Sequence, residues 1–257
     1  MEYVLICSAA LIGSGLTFFS GFGLGTLLTP VFALFFPLEI AIMLTAVVHF
    51  LNNLFKLLLV GRHADRRVAK DFGIPALLFA FVGAYFLFYL GNIPPLFDYA
   101  FAGRIFYVMP INLIIAAVLF FFALFEIIPS LANLKFSNRF IILGGALSGF
   151  FGGLSGTQGA LRSAFLINAN LSKEAFIATG VVIACMIDVS RLVVYGAEMF
   201  RVPFQVDYIL LWSATLSAFV GAFIGSRLLK KVTIKTLQLS VAVCLCIFAV
   251  LLGAGIL

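Results

Sequence analysis

Charge is what this sequence has least of. Of 257 residues only 10% are charged, while 64% are hydrophobic and phenylalanine alone occurs 31 times. A soluble domain of this length cannot cover its surface with so few charges. Regular alternation of polar and apolar residues is also missing, which excludes a transmembrane β-barrel. Two histidines and four cysteines, with no CxxC, no HExxH and no paired carboxylates, leave neither a metal site nor a nucleophile arrangement. An enzyme is therefore not expected. No phosphate-loop lysine or dinucleotide fingerprint accompanies the glycines, so neither a nucleotide nor any other cofactor is expected. The first residues, "MEYVLICSAALIGSG", lack a basic segment before the apolar run and do not read as a cleaved signal peptide.

What the chain does have is apolar runs of membrane-spanning length from end to end, separated by short polar links. It reads as an all-α polytopic protein with one integral membrane domain, placed in the cell (inner) membrane and surrounded by lipid bilayer. The formal charge of +6 would suggest nucleic acid in a soluble protein. Here the basic residues cluster at helix ends and act as topology signals, so no nucleic-acid partner is expected. Cys7, Cys185, Cys244 and Cys246 all sit in apolar segments and read as small core residues.

The second half of the chain repeats the first. Ser20-Gly21 falls on Ser155-Gly156, and Glu39 falls on Glu174. "NLFKLLLVG" (53–61) falls on "DVSRLVVYG" (188–196), so Lys56 meets Arg191. After a three-residue shift, "FVGAYF" (81–86) falls on "FVGAFI" (219–224). Four matches in order point to an internal duplication. The first repeat, 1–128, holds a glycine-interrupted stretch at 3–36 and spans at 40–61, 72–91 and 104–128. The second, 129–257, holds a stretch at 140–170 and spans at 174–196, 207–229 and 236–255.

Positive charge then sets the topology. "RHADRRVAKD" (62–71) is strongly basic and should face the cytoplasm, as should the cluster Arg227, Lys230, Lys231 and Lys235. Both face one side only if an even number of crossings separates them. Four spans lie between, so residues 140–170 must add none or two. Each interrupted stretch is therefore read as a re-entrant helical hairpin, which survives at membrane depth only where it is protein-buried or lines a wet cavity. A hairpin plus three spans gives each repeat an odd number of crossings. The repeats are then inverted, with both termini outside and the two hairpin tips meeting near the midplane.

A hairpin tip exposes the N-terminus of its returning helix, with unpaired amides and a partial positive charge. Glycine lets a ligand approach that backbone, and the combination suits an anion. Gly21, Gly23, Gly25 and Thr26 form one tip. Ser155, Gly156, Thr157, Gln158 and Gly159 form the other, and Arg162 follows one turn later with a full charge and a planar donor fork. An arginine at membrane depth is a functional candidate by default; its structural alternative is to snorkel or to pair with Asp188.

The segments "SGFGLGTLLTP", ending in Pro30, and "GFFGGLSGTQGALRSAF" (149–165) resemble the duplicated glycine-cluster motif of the TauE/SafE sulfite and sulfonate exporter family. The second copy carries Thr157-Gln158-Gly159 in place of a tighter glycine cluster, and Phe165 in place of a proline. The resemblance extends over nearly the whole chain. It implies a transporter of small oxyanions such as sulfite, sulfonates or sulfoacetate, and the added side-chain donors suit a sulfonate. An anion channel, and a transporter of another small carboxylate or oxyanion, stay open as alternatives, as does a homodimer.

The remaining polar residues divide by position. Asp188 is the carboxylate well inside a span and the candidate for proton coupling, though an ion pair with Arg191 three residues on is its local alternative. Lys56 lies close enough to the basic loop to snorkel. His49, Asn52 and Asn53 suit hydrogen bonding between helices. Glu39 and Glu174 stand at helix starts, with Ser172 as a cap.

Overall fold

The computed structural model describes residues 1–20, 23–132, 136–199, 207–228 and 234–257. The helices run α1 (Glu2–Ser20), α2 (Leu24–Ala33), α3 (Leu38–Val60), α4 (Arg66–Gly91), α5 (Pro110–Ile127), α6 (Pro129–Ala132), α7 (Ile141–Ser155), α8 (Gly159–Leu166), α9 (Lys173–Met199), α10 (Tyr208–Leu228) and α11 (Ile234–Gly253). Their starts are marked locally. Asp65, Ser172 and Asp207 accept from the amides of Val68, Ala175 and Leu210 at 2.9, 3.2 and 3.0 Å, each closing an orphan donor of a first turn. Pro110 opens α5, where its missing N–H costs nothing.

Between α4 and α5 lies an element the all-α reading lacks. Strands β1 (Phe97–Phe101) and β2 (Arg104–Val108) pair antiparallel. Ala102 and Gly103 join them with φ of 50° and 77°, the two positive values a tight hairpin turn requires. Residues 104–108, placed by sequence at the head of a span, are therefore strand, and the helix begins at Pro110. The ribbon and the start of α5 are tied to the chain's far end: Tyr99 of β1 donates to the Ala254 carbonyl at 2.7 Å, and Asn112 of α5 to that of Leu257 at 3.2 Å.

Each glycine-interrupted stretch folds back on itself. Gly13 of α1 faces Leu24 and Leu27 of α2, and Gly144 of α7 faces the ring of Phe165 in α8. The returning helices are short: α2 has 10 residues and α8 has 8, roughly 15 and 12 Å at 1.5 Å per residue. Neither reaches across a hydrocarbon core of about 30 Å. Among the described residues, four helices are long and apolar enough to cross a membrane, within α3, α4, α9 and α10. Their outward faces carry large exposed apolar side chains such as Leu58, Leu78, Tyr85, Val193 and Trp212.

The packing exchanges partners between the two halves. α7 lies along α4, α1 along α10, α3 against α9 and α5 against α11. The α4–α7 contact is set by Gly145, Gly149 and Gly153, each facing a backbone carbonyl of α4, from Phe72, Ala76 and Ala80. A Cβ at any of the three would sit inside van der Waals contact with that oxygen. The α1–α10 contact works the same way, through Gly221 against Leu11 and Gly225 against Gly15. Small residues spaced by four let helix backbones approach closely where no hydrophobic effect drives association. Gly149→Ala should therefore destabilise the fold by about 1–3 kcal/mol, the usual cost of overpacking. Gly196→Ala, with nothing within 4 Å of its Cβ position, should be neutral or stabilising. Thermal melts of both proteins in detergent check the pair; equal melting temperatures would mean the helix contact is looser than this.

The molecule has two ends. Tyr3 donates to Asp207 at 2.5 Å at the end that also holds the ribbon and the C-terminus. The turn at 61–65 marks the other end, where the Asp65 amide donates to Thr179 Oγ1 of α9 at 2.9 Å.

Candidate functional site

The two chain breaks meet. Gly23, which has no side chain to cap with, stands before α2 with φ −80° and ψ 136°, and Gln158, whose side chain does not cap, stands before α8, so neither start is satisfied by its cap residue's side chain. Gly156 ends α7 in the left-handed region, φ 76°, with its N–H on the Gly152 carbonyl at 3.0 Å. A Cβ on Gly25 would lie 3.0 Å from the Gly156 carbonyl oxygen and 3.7 Å from Thr45 Cγ2. Gly25 is glycine because two backbones touch there, and Gly156 because its left-handed φ and the nearby Arg191 leave no room for a side chain. Gly21, of the first tip, lies outside the described residues.

Below the crossing, toward the 61–65 end, opens a pocket of ≈ 520 Å³, with open solvent at its mouth included. Gly23, His49, Asn53, Lys56, Arg162 and Ser163 supply its polar lining; Phe18 and Phe176 are among its apolar walls. Lys56 does not snorkel, contrary to its sequence reading. It is 5% exposed and lies over the Phe18 ring, 5.6 Å from the centroid. The aromatic face and the polar pocket give its ammonium a closer setting than the aqueous end. Arg162 extends along α9: a Cβ at Gly180 would stand 3.4 Å from its Nε and 3.7 Å from Cζ. Thr26, Thr157 and Gly159 line a separate pocket of ≈ 260 Å³ with Phe122 and Leu245. Ser155, Thr157 and Gln158 are buried, and the first two share a hydrogen bond of 2.5 Å. The residues assigned to two tips are thus distributed over a larger pocket, a smaller one and the packed crossing.

Between pocket and crossing sits a buried polar network. Asp188 is fully buried. Its Oδ2 lies 2.8 Å from His49 Nδ1 and accepts from Asn53 Nδ2 at 3.0 Å; its Oδ1 accepts from Arg191 Nε at 3.0 Å and Nη2 at 2.8 Å. The local pairing of Asp188 with Arg191 is present. Asn52, on the next face of α3, accepts from Ser14 of α1 at 3.0 Å, so these asparagines do bridge helices. His49 and Lys56 are the functional candidates that the sequence undervalued. The i, i+4 spacing of His49 and Asn53 was the signal, since it puts both on one helix face.

The fold and this site define a multi-pass α-helical membrane protein with polar helix breaks buried at its centre. The chain belongs to the sulfite exporter TauE/SafE family, whose sequence model matches residues 5–252; it is a membrane transport protein of that family. No curated protein and no solved structure matches it.

Proposed function

We propose that this protein is a secondary transporter of small sulfur-containing or organic anions, of the sulfite, sulfonate and sulfoacetate class, and that the anion enters through the pocket below the helix breaks. One observation carries the reading: in a chain so poor in charge, Lys56 and Arg162 line the same pocket, together with the uncapped start of α2 at Gly23. Cations held at membrane depth are costly unless they serve a pathway, and a helix N-terminus adds to their attraction for anions. The exchange of partners between halves supports two inverted repeats, 1–128 and 129–257, with a re-entrant hairpin opening each. With the basic 61–71 segment cytoplasmic, the pocket opens inward and both termini lie outside. Asp188 is the coupling carboxylate, reached from the pocket through His49 and Asn53.

Uptake into proteoliposomes tests the reading, using sulfite with sulfonates as competitors at several imposed pH gradients. Saturable uptake that responds to the gradient supports a carrier; unsaturable, purely voltage-driven flux would identify a channel instead. Orientation has its own check. Ala64→Cys should label only from the cytoplasmic side and Asp98→Cys only from outside, and labelling of both from one side would overturn the topology.

A further inference from the structure

We propose that Arg191 holds a second anion position, deeper than the pocket, at the crossing of the two helix breaks. The proposal rests on the transporter reading and adds a site to it. The guanidinium of Arg191 is fully buried and divided in its duties. Nε and Nη2 grip Asp188 Oδ1, while Nη1 has no hydrogen-bond partner among the described residues. That free nitrogen is aimed at the break: a Cβ on Gly156 would stand 2.9 Å from it. Any side chain at 156 would collide with that nitrogen, so glycine there keeps the charged donor against the break.

One further unspent hydroxyl faces the same place. Thr29 Oγ1 lies 3.9 Å from that Cβ position, while Thr45 turns its methyl Cγ2, not its hydroxyl, toward the neighbouring Gly25, 3.7 Å from a Cβ there. The hydroxyls of Thr29 and Thr45 and both amide atoms of Gln158 are buried without a hydrogen-bond partner among the described residues. Buried polar groups are normally paired, and each left unpaired penalises the fold. Two of these groups, Arg191 Nη1 and the Thr29 hydroxyl, face one point at Gly156, and a buried cationic donor beside an unpaired hydroxyl marks a place built for a ligand. Asp188 cannot serve, because both its oxygens are already occupied. The donors are a guanidinium nitrogen and a hydroxyl, so the ligand is a small oxyanion rather than a metal ion. Asp188 acts here as a positioning residue, fixing the guanidinium so that Nη1 faces the crossing. Through His49 and Asn53, which line the pocket, it links the two positions.

Selenite, a heavier analogue of sulfite, is the probe. Crystals of the full chain grown in selenite, with diffraction collected at the selenium edge, should give a peak within hydrogen-bonding reach of Arg191 Nη1 and Thr29 Oγ1. The double variant Thr29→Val, Thr45→Val keeps side-chain shape and removes two hydroxyls that bond to nothing else described. It should melt no lower than the parent, lose that peak, and bind labelled sulfite at least tenfold more weakly. A peak only between Lys56 and Arg162, or unchanged sulfite affinity in the double variant, overturns the second position and leaves the transporter reading standing. No peak at either place, together with no sulfite uptake, removes both.

Discussion

Asp188→Ala should cost this protein roughly 3–5 kcal/mol of stability, the range for breaking a buried ion pair from one side. The carboxylate is fully buried and answers four groups: His49, Asn53 and two nitrogens of Arg191. Its removal strands a fully buried guanidinium with no counter-charge, which is worse than having neither partner. Asp188→Leu combined with Arg191→Met should therefore recover much of the loss, because an apolar pair of similar volume carries no desolvation penalty. Asp65→Ala, which removes a helix cap rather than a buried charge, should cost only about 1 kcal/mol. Unfolding of all three proteins in detergent provides the comparison. If Asp188→Ala melts like the parent, the network is not the buried ion pair described. The isosteric Asp188→Asn keeps the shape but not the charge, and folded protein of that kind should take up anion without responding to an imposed pH gradient. A preserved response would move the coupling away from Asp188.

The parts of this fold that were legible in sequence are those written locally. The breaks before α2 and α8 were visible because glycines interrupt otherwise continuous apolar runs, and Ser172 and Asp188–Arg191 were visible because their partners lie within one helical turn. The β-ribbon was not, since in "FDYAFAGRIFYV" (97–108) both strand faces are largely apolar and period-two alternation disappears into the surrounding hydrophobicity. Lys56 looked like a snorkelling residue because only its distance along the chain from the basic loop was readable; the Phe18 ring it covers comes from another helix. The same holds for His49 and Asp188, 139 positions apart. Each helix face was readable alone, but their meeting depends on how α3 crosses α9. The exchange of α1 and α7 onto helices of the opposite half follows from glycine stripes meeting carbonyl oxygens, a complementarity that no single segment contains.

Arg162→Ala should weaken anion binding about 10- to 150-fold, corresponding to roughly 1.5–3 kcal/mol for hydrogen bonds to a charged group, while leaving the protein folded. The residue is half-buried at the pocket rather than sealed in the core, so its loss leaves space that water can enter. Arg162→Lys restores charge without the planar fork and should recover only part of the affinity. Lys56→Gln should act in the same direction, since the two side chains line one pocket. Gln158→Ala should cost less than either, because it removes a neutral donor. Gly180→Ala offers a gentler probe: the added methyl would stand 3.4 Å from Arg162 Nε, in contact with the guanidinium and narrowing the pocket beside it without removing the charge. An intermediate loss of affinity is expected there. Were Arg162 only a packing residue, Arg162→Ala would reduce folded yield and melting temperature while the folded fraction bound anion normally. Sulfite affinity measured on monodisperse, folded protein separates the two roles, and an unchanged value in Arg162→Ala would take this arginine out of the pocket's chemistry.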